Sequence, residues 1–295
     1  MSVYEHRYQP YTGELTPQWS RFLIVPRHAF RDLFASKILI AFFALSFIAP
    51  LVFAILIYLH HNISAIAMFK INIAELVPID ESFFNTFMGI QSGAAFFLTL
   101  LVAPTLVSKD LANNALPLYL ARPFSRFEYT IGKMSVVFIL LSCVLWIPGL
   151  LLFIFQSFLE GFAWMSANLW LAGAIFLSSW AWILFLALLS QTLSAWVKWR
   201  VAASAGMVAA VLIPSAIAEV AYQILNQGER QETNMTWLNI ISPTAIMQTI
   251  RAALFRMPPF DSYTVPLTGA WLGFIVMCLM LAFLLSRKVR AYEVA

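Results

Sequence analysis

The chain has 295 residues, 61% hydrophobic and 11% charged, with a formal net charge of +4 and a mean hydropathy of +0.82. A soluble domain carries roughly 25% charge, so most of this chain cannot form a solvated surface. Its apolar residues gather in long uncharged runs, the pattern that lipid imposes as solvent. The expected class is an all-α polytopic membrane protein.

Residues 1–37 form a cytoplasmic N-terminal segment in this reading. Glu5, Arg7, Glu14, Arg21, Arg27, Arg31, Asp32 and Lys37 are spread through it with no early apolar core, so no cleavable signal peptide is expected and the first span acts as its own insertion signal. Trp19, Phe22, Leu23, Ala29, Phe30, Leu33 and Phe34 recur at helical spacing, while Arg27, His28, Arg31 and Asp32 fall opposite. That spacing predicts an amphipathic interfacial helix, begun or kinked by Pro26, with Arg27 and Arg31 towards the cytoplasm and Phe30 and Phe34 in the headgroup boundary. The simpler alternative is a basic flank that only fixes topology.

Crossing a hydrocarbon layer takes about 20 apolar residues in a helix. Six runs reach that length: Ile38 to Leu59, Phe87 to Val107, Met134 to Gln156, Leu169 to Leu189, Val201 to Tyr222 and Thr268 to Ser286. They define a transmembrane domain over residues 38–286, followed by a cytoplasmic tail over 287–295. Of the Lys and Arg residues, 14 fall on the side of the termini and only 4 (Lys70, Arg230, Arg251 and Arg256) on the other. Both ends are therefore expected in the cytoplasm. Trp164, Trp170, Trp196, Trp199 and Trp271 lie near span ends, where interfacial anchors belong.

Two long segments, 60–86 and 223–267, fall outside. In the second, Trp237 to Phe255 is mostly apolar and contains Ser242-Pro243. It reads either as a short helix lying on or dipping into the outer leaflet, or as an ordinary packed extracellular helix. Cys143 and Cys278 each sit inside an apolar run and read as packed thiols. His60-His61 has no further ligand nearby in sequence and reads as interfacial, so no metal site is expected.

The missing chemistry is also informative. No span has Asp, Glu, Lys, Arg or His in its interior, and Glu219 lies near an end. This argues against ion-coupled transport and intramembrane acid–base catalysis. The only Gly-Lys pair, Gly132-Lys133, precedes Met134 and has Phe127 where a phosphate-cradling loop needs its first glycine. Neither a zinc pattern nor a nucleophile elbow is present, so no catalytic residue and no cofactor is expected in this chain.

The loop 108–133 mixes charge with an apolar patch. Leu116, Tyr119 and Leu120 stand at i, i+3 and i+4, and Arg122-Pro123 stops a helix there. Two readings stand: a short helix that docks on a cytoplasmic partner, or a hairpin packed on its own bundle and headgroups. Asp110, Leu116, Leu118, Leu120, Arg122, Pro123, Ser125, Arg126, Tyr129, Gly132 and Lys133 follow the order seen in ABC-2 transporter permeases, and in this loop the chain resembles that family. Asn114 stands where many members have glycine, and Asp110 replaces a commoner glutamate. The basic helix before the first span, the six spans and the Ser-Pro-containing outer segment are similar too, and the loop most resembles the NosY-like branch, associated with copper-enzyme maturation.

The resemblance implies a type V exporter-like permease fold and a homodimer assembled with two copies of a separate ABC ATPase subunit, which binds the ATP and magnesium. It implies that Asp110, Leu116, Tyr119, Arg122 and Arg126 form the coupling interface with that ATPase, and that the pre-span helix also contacts it. Substrate would pass between protomers along spans two and five, with the outer segment as exit gate. The expected function is the non-catalytic permease subunit of an ATP-driven exporter in a bacterial inner membrane, touching lipid and no nucleic acid. The rival is a membrane scaffold that recruits a soluble partner without transport. Charge and spacing leave the substrate unassigned.

Overall fold

A computed structural model describes residues 24–62, 78–106, 126–197, 199–226, 236–258 and 265–288. Every regular element among them is helical, with no strand, and six helical stretches are long and apolar enough to cross a membrane. Helix α1 covers Ile24–Leu33, and span one is split into α2 (Lys37–Leu45) and α3 (Ile48–His61). Span two is α4 (Glu81–Leu106), and span three is split into α5 (Arg126–Val144) and α6 (Trp146–Glu160). After the short α7 (Phe162–Ala167) come span four, α8 (Leu169–Trp196), and span five, α9 (Arg200–Asn226). A 3₁₀ turn (Thr236–Ile241) and α10 (Pro243–Leu254) then precede span six, α11 (Leu267–Lys288).

The spans agree with the hydropathy reading but run past it: span two begins six residues before Phe87 and span four continues seven beyond Leu189. At span two a cap, not hydropathy, fixes the end. Asp80 Oδ1 accepts from Phe83 N at 3.1 Å and starts α4 ahead of its apolar run.

The breaks in spans one and three follow from proline. Pro50 has no N–H to give the Ser46 carbonyl, and α2 ends at Leu45 with α3 resuming at Ile48. Pro148 likewise cannot donate to the Val144 carbonyl, and the chain breaks at Leu145. Gln91 Nε2, from span two, donates to that freed Val144 oxygen at 2.8 Å. In a medium without water, this kind of re-satisfaction is what makes a broken span tolerable. Between α6 and α7, Gly161 adopts φ +98, where a Cβ would be strained.

Span four is the centre of the bundle. It packs on spans two, three, five and six and on α10, and 61% of its most apolar window is buried, against 17% for span one and 22% each for spans five and six. Being apolar all round suits it to that position. Polar side chains tie the spans to neighbouring backbones: Trp182 Nε1 donates to Ser92 O at 2.9 Å, Thr192 Oγ1 to Leu281 O at 3.1 Å and Ser204 Oγ to Leu100 O at 3.1 Å.

At one end of the bundle, the ends of spans one and three meet, with His61 Nε2 3.1 Å from Glu160 Oε1. At the other, Trp196 Nε1 donates to Leu284 O at 3.3 Å, joining spans four and six, and α1 packs on the start of span three. Helix α1 is therefore not purely interfacial: Leu33 is buried in the core and only part of its apolar face is left for lipid.

Candidate functional site

Three regions bear on function. The first is the loop carrying Asp110, Leu116, Tyr119 and Arg122, which lies outside the described residues; Arg126 opens α5. Beyond the loop, Tyr129 is fully buried and Lys133 is nearly so, with its ammonium 5.7 Å from the Tyr129 ring centre. Lys133 thus anchors the start of span three within the bundle.

The second region is α1. Arg27 and Arg31 are exposed, as an outward basic face requires, while Phe30 is half-buried. Phe30 stacks on Phe34 at 6.1 Å, Phe34 meets Phe43 edge-on at 5.7 Å, and Phe43 meets Phe47 at 5.2 Å. These contacts tie the amphipathic helix to span one up to its break at Ser46.

The third region is a cleft that sequence alone does not show. Trp237 to Phe255 packs against spans two, four, five and six. Ser242 caps α10, its Oγ accepting from Ala245 N at 3.1 Å, with Pro243 in the first turn. Ser242, Thr244 and Ser215 of span five form a hydroxyl cluster with contacts of 2.7, 2.9 and 3.0 Å. Ser215 lies eleven residues before the end of α9, about 16 Å into the bundle at 1.5 Å per residue. From there α10 climbs back: Arg251 Nε donates to Asn85 Oδ1 at 3.0 Å, near the start of span two.

Glycines let the segment sit close to span six. A Cβ on Gly269 would lie 3.0 Å from Ile240, and one on Gly273 would lie 2.9 Å from Ile246. At its exit, Met257 N donates to Ala252 O at 2.9 Å, a Schellman-type closure with Arg256 in the left-handed region at φ 55. Glycine is the usual residue there. Arg256 instead places its guanidinium 4.2 Å from the Trp170 ring centre, a contact of about 0.5–2 kcal/mol that offsets the backbone cost. Replacing Trp170 by leucine should therefore loosen the return of α10, read as faster protease cleavage between residues 255 and 267. Unchanged cleavage would show that the ring does not hold this turn.

Between α10 and spans two, four and five lies a cleft of about 260 Å³. Thr244, Gln248 and Arg251, at i, i+4 and i+7, put one polar face of α10 along it, with Ser92 and Ser178 opposite. Phe96, Trp182, Val211, Leu212 and Met247 supply apolar wall. Gly93 and Leu212, both exposed, mark where it opens between spans two and five.

Among the described residues, no three His, Cys, Asp or Glu side chains come together as metal ligands would. His61 instead spans two acceptors, Ile57 O at 3.0 Å and Glu160 Oε1 at 3.1 Å. No protein-family model matches the chain, and no curated protein matches it.

Proposed function

We propose that this chain is the permease subunit of an ABC-2-type exporter, working as a homodimer with two copies of a separate ATPase in a bacterial inner membrane, both termini cytoplasmic. The observation that carries this reading is α10, which packs among the spans and roofs a mostly apolar cleft with one polar face, between spans two, four and five, at the end of the bundle opposite the basic flanks. A segment that enters and leaves on one side, held by small-residue contacts on span six, is suited to gating an exit path. The amphipathic α1, tied to span one by stacked phenylalanines and resting on the start of span three, is suited to relaying motion from a cytoplasmic partner. ATP and magnesium belong to that partner, and its closure would move rigid halves of the dimer between inward- and outward-facing states.

Affinity purification of the tagged chain in mild detergent should retain a stoichiometric Walker-motif subunit with vanadate-sensitive ATP hydrolysis. Arg122→Glu and Arg126→Glu should each reduce the hydrolysis rate of the complex several-fold, because each reverses a charge at the expected interface. A clean preparation without ATPase would favour the scaffold reading, and undiminished hydrolysis in both variants would remove the interface assignment.

A further inference from the structure

The cleft holds a charge that the described residues do not neutralise. Arg251 donates through Nε to the neutral amide of Asn85, and among the described residues it has no carboxylate partner. Its terminal nitrogens lie over Gly89, where an added Cβ would stand 3.3 Å from one and 3.5 Å from the other. The absence of a side chain at residue 89 thus makes room for the guanidinium, and neither terminal nitrogen has an acceptor among the described residues. Arg251 is half-buried, and an ionised group against an apolar wall is costly unless something completes it.

The surroundings limit what can do so. Ser92, Ser178 and Thr244 are already engaged with the backbone or with other hydroxyls. Among the described residues, the donors left facing the cleft are the Arg251 guanidinium and the Gln248 amide, one turn apart on α10. Donors of this kind suit oxyanions. The remaining wall is aromatic and aliphatic, and the mouth lies by the exposed stripe Ile90, Gly93, Phe97 of span two. A volume of about 260 Å³ falls below the roughly 300–1,000 Å³ of sites that enclose a whole drug-sized ligand, so it admits a headgroup and leaves the rest outside. We propose that the cleft binds the anionic headgroup of an amphiphile, with Arg251 as counter-charge and the apolar tail leaving between spans two and five. As the identity of a transported substrate this rests on the permease reading; as a binding site it does not.

The test is native mass spectrometry of the full chain released from a neutral detergent. Phosphatidic acid, phosphatidylcholine with the same acyl chains, and inorganic phosphate serve as probes. Phosphatidic acid should bind one per chain, at least about tenfold more tightly than phosphatidylcholine. Arg251→Gln should lower that affinity about tenfold and Arg251→Lys should retain most of it. Gly93→Phe should also lower it by filling the mouth, since a Cβ at Gly93 meets nothing within 4 Å and the variant keeps Arg251. Elution as a single species in gel filtration identifies the variants that fold. Equal binding of both lipids, or unchanged affinity in folded Arg251→Gln, would overturn the proposal. Displacement of phosphatidic acid by inorganic phosphate at equal concentration would overturn the role of the tail. None of these readouts needs an ATPase, so failure here leaves the copurification result standing, and the reverse.

Discussion

Replacing Gln91 by leucine should lower the apparent melting temperature of the detergent-solubilised protein by about 3–9 °C. The leucine fits, but it strips the Val144 carbonyl of the donor that reaches it at 2.8 Å. Interhelical hydrogen bonds in membranes average only about 0.6 kcal/mol, because the separated helices find other partners. This one should exceed the average, at about 1–3 kcal/mol, since Pro148 has removed the donor within the helix. The mechanism is tested by a cycle with Pro148→Ala, which returns an N–H to the helix. Gln91→Leu should then cost less, with a coupling of about 1 kcal/mol. Equal costs in the two backgrounds would show that Gln91 is not compensating for the proline.

An equally large effect is expected at Gly149, where α6 crosses span four. A Cβ there would stand 2.7 Å from Ile175 Cγ2, and Ile175 is fully buried. The contact is with a β-branched methyl whose χ1 is fixed in a helix, so the neighbour cannot swing aside. Gly149→Ala should cost about 1–3 kcal/mol by forcing the helices apart. The paired variant Gly149→Ala with Ile175→Ala removes the opposing methyl. It should be more stable than the sum of its two single changes predicts, read as melting temperature and as yield of monodisperse protein. Additive losses would mean that the helices separate at no cost and that the contact does not determine their spacing.

How much of this was legible in the sequence differs from element to element. The six spans were, because about 20 apolar residues is a length constraint that each run meets on its own. The cap at Ser242-Pro243 was visible as a dipeptide, but where the segment packs depends on Gly269 and Gly273 of span six, which only a three-dimensional arrangement brings to Ile240 and Ile246. The breaks were carried by Pro50 and Pro148, yet the surrounding hydropathy is continuous and the donor that makes one break affordable, Gln91, is 53 residues from its acceptor. Arg251 counted at first as one of four cations on the outer side. Its value as a site residue comes from Asn85 and Gly89, in the first turns of span two. The expected coupling residues from Asp110 to Arg122 fall outside the described residues, and Arg126 is placed only as the opening of α5.

The central position of span four has a consequence for how the protein is made. Helices leave the ribosome in order, and when residues 24–167 have emerged the chain holds three spans but not the one that is the largest single packing partner of spans two and three. Until Leu169 to Trp196 follows, the nascent chain has the contacts among spans one to three but lacks their largest common packing partner. Gln91 and the Val144 carbonyl can meet early, whereas Ser92 must wait for Trp182. Stalled or truncated translation before span four should therefore yield not a smaller stable bundle but a loose precursor open to membrane proteases, and arrival of span four should mark the transition to a protected state.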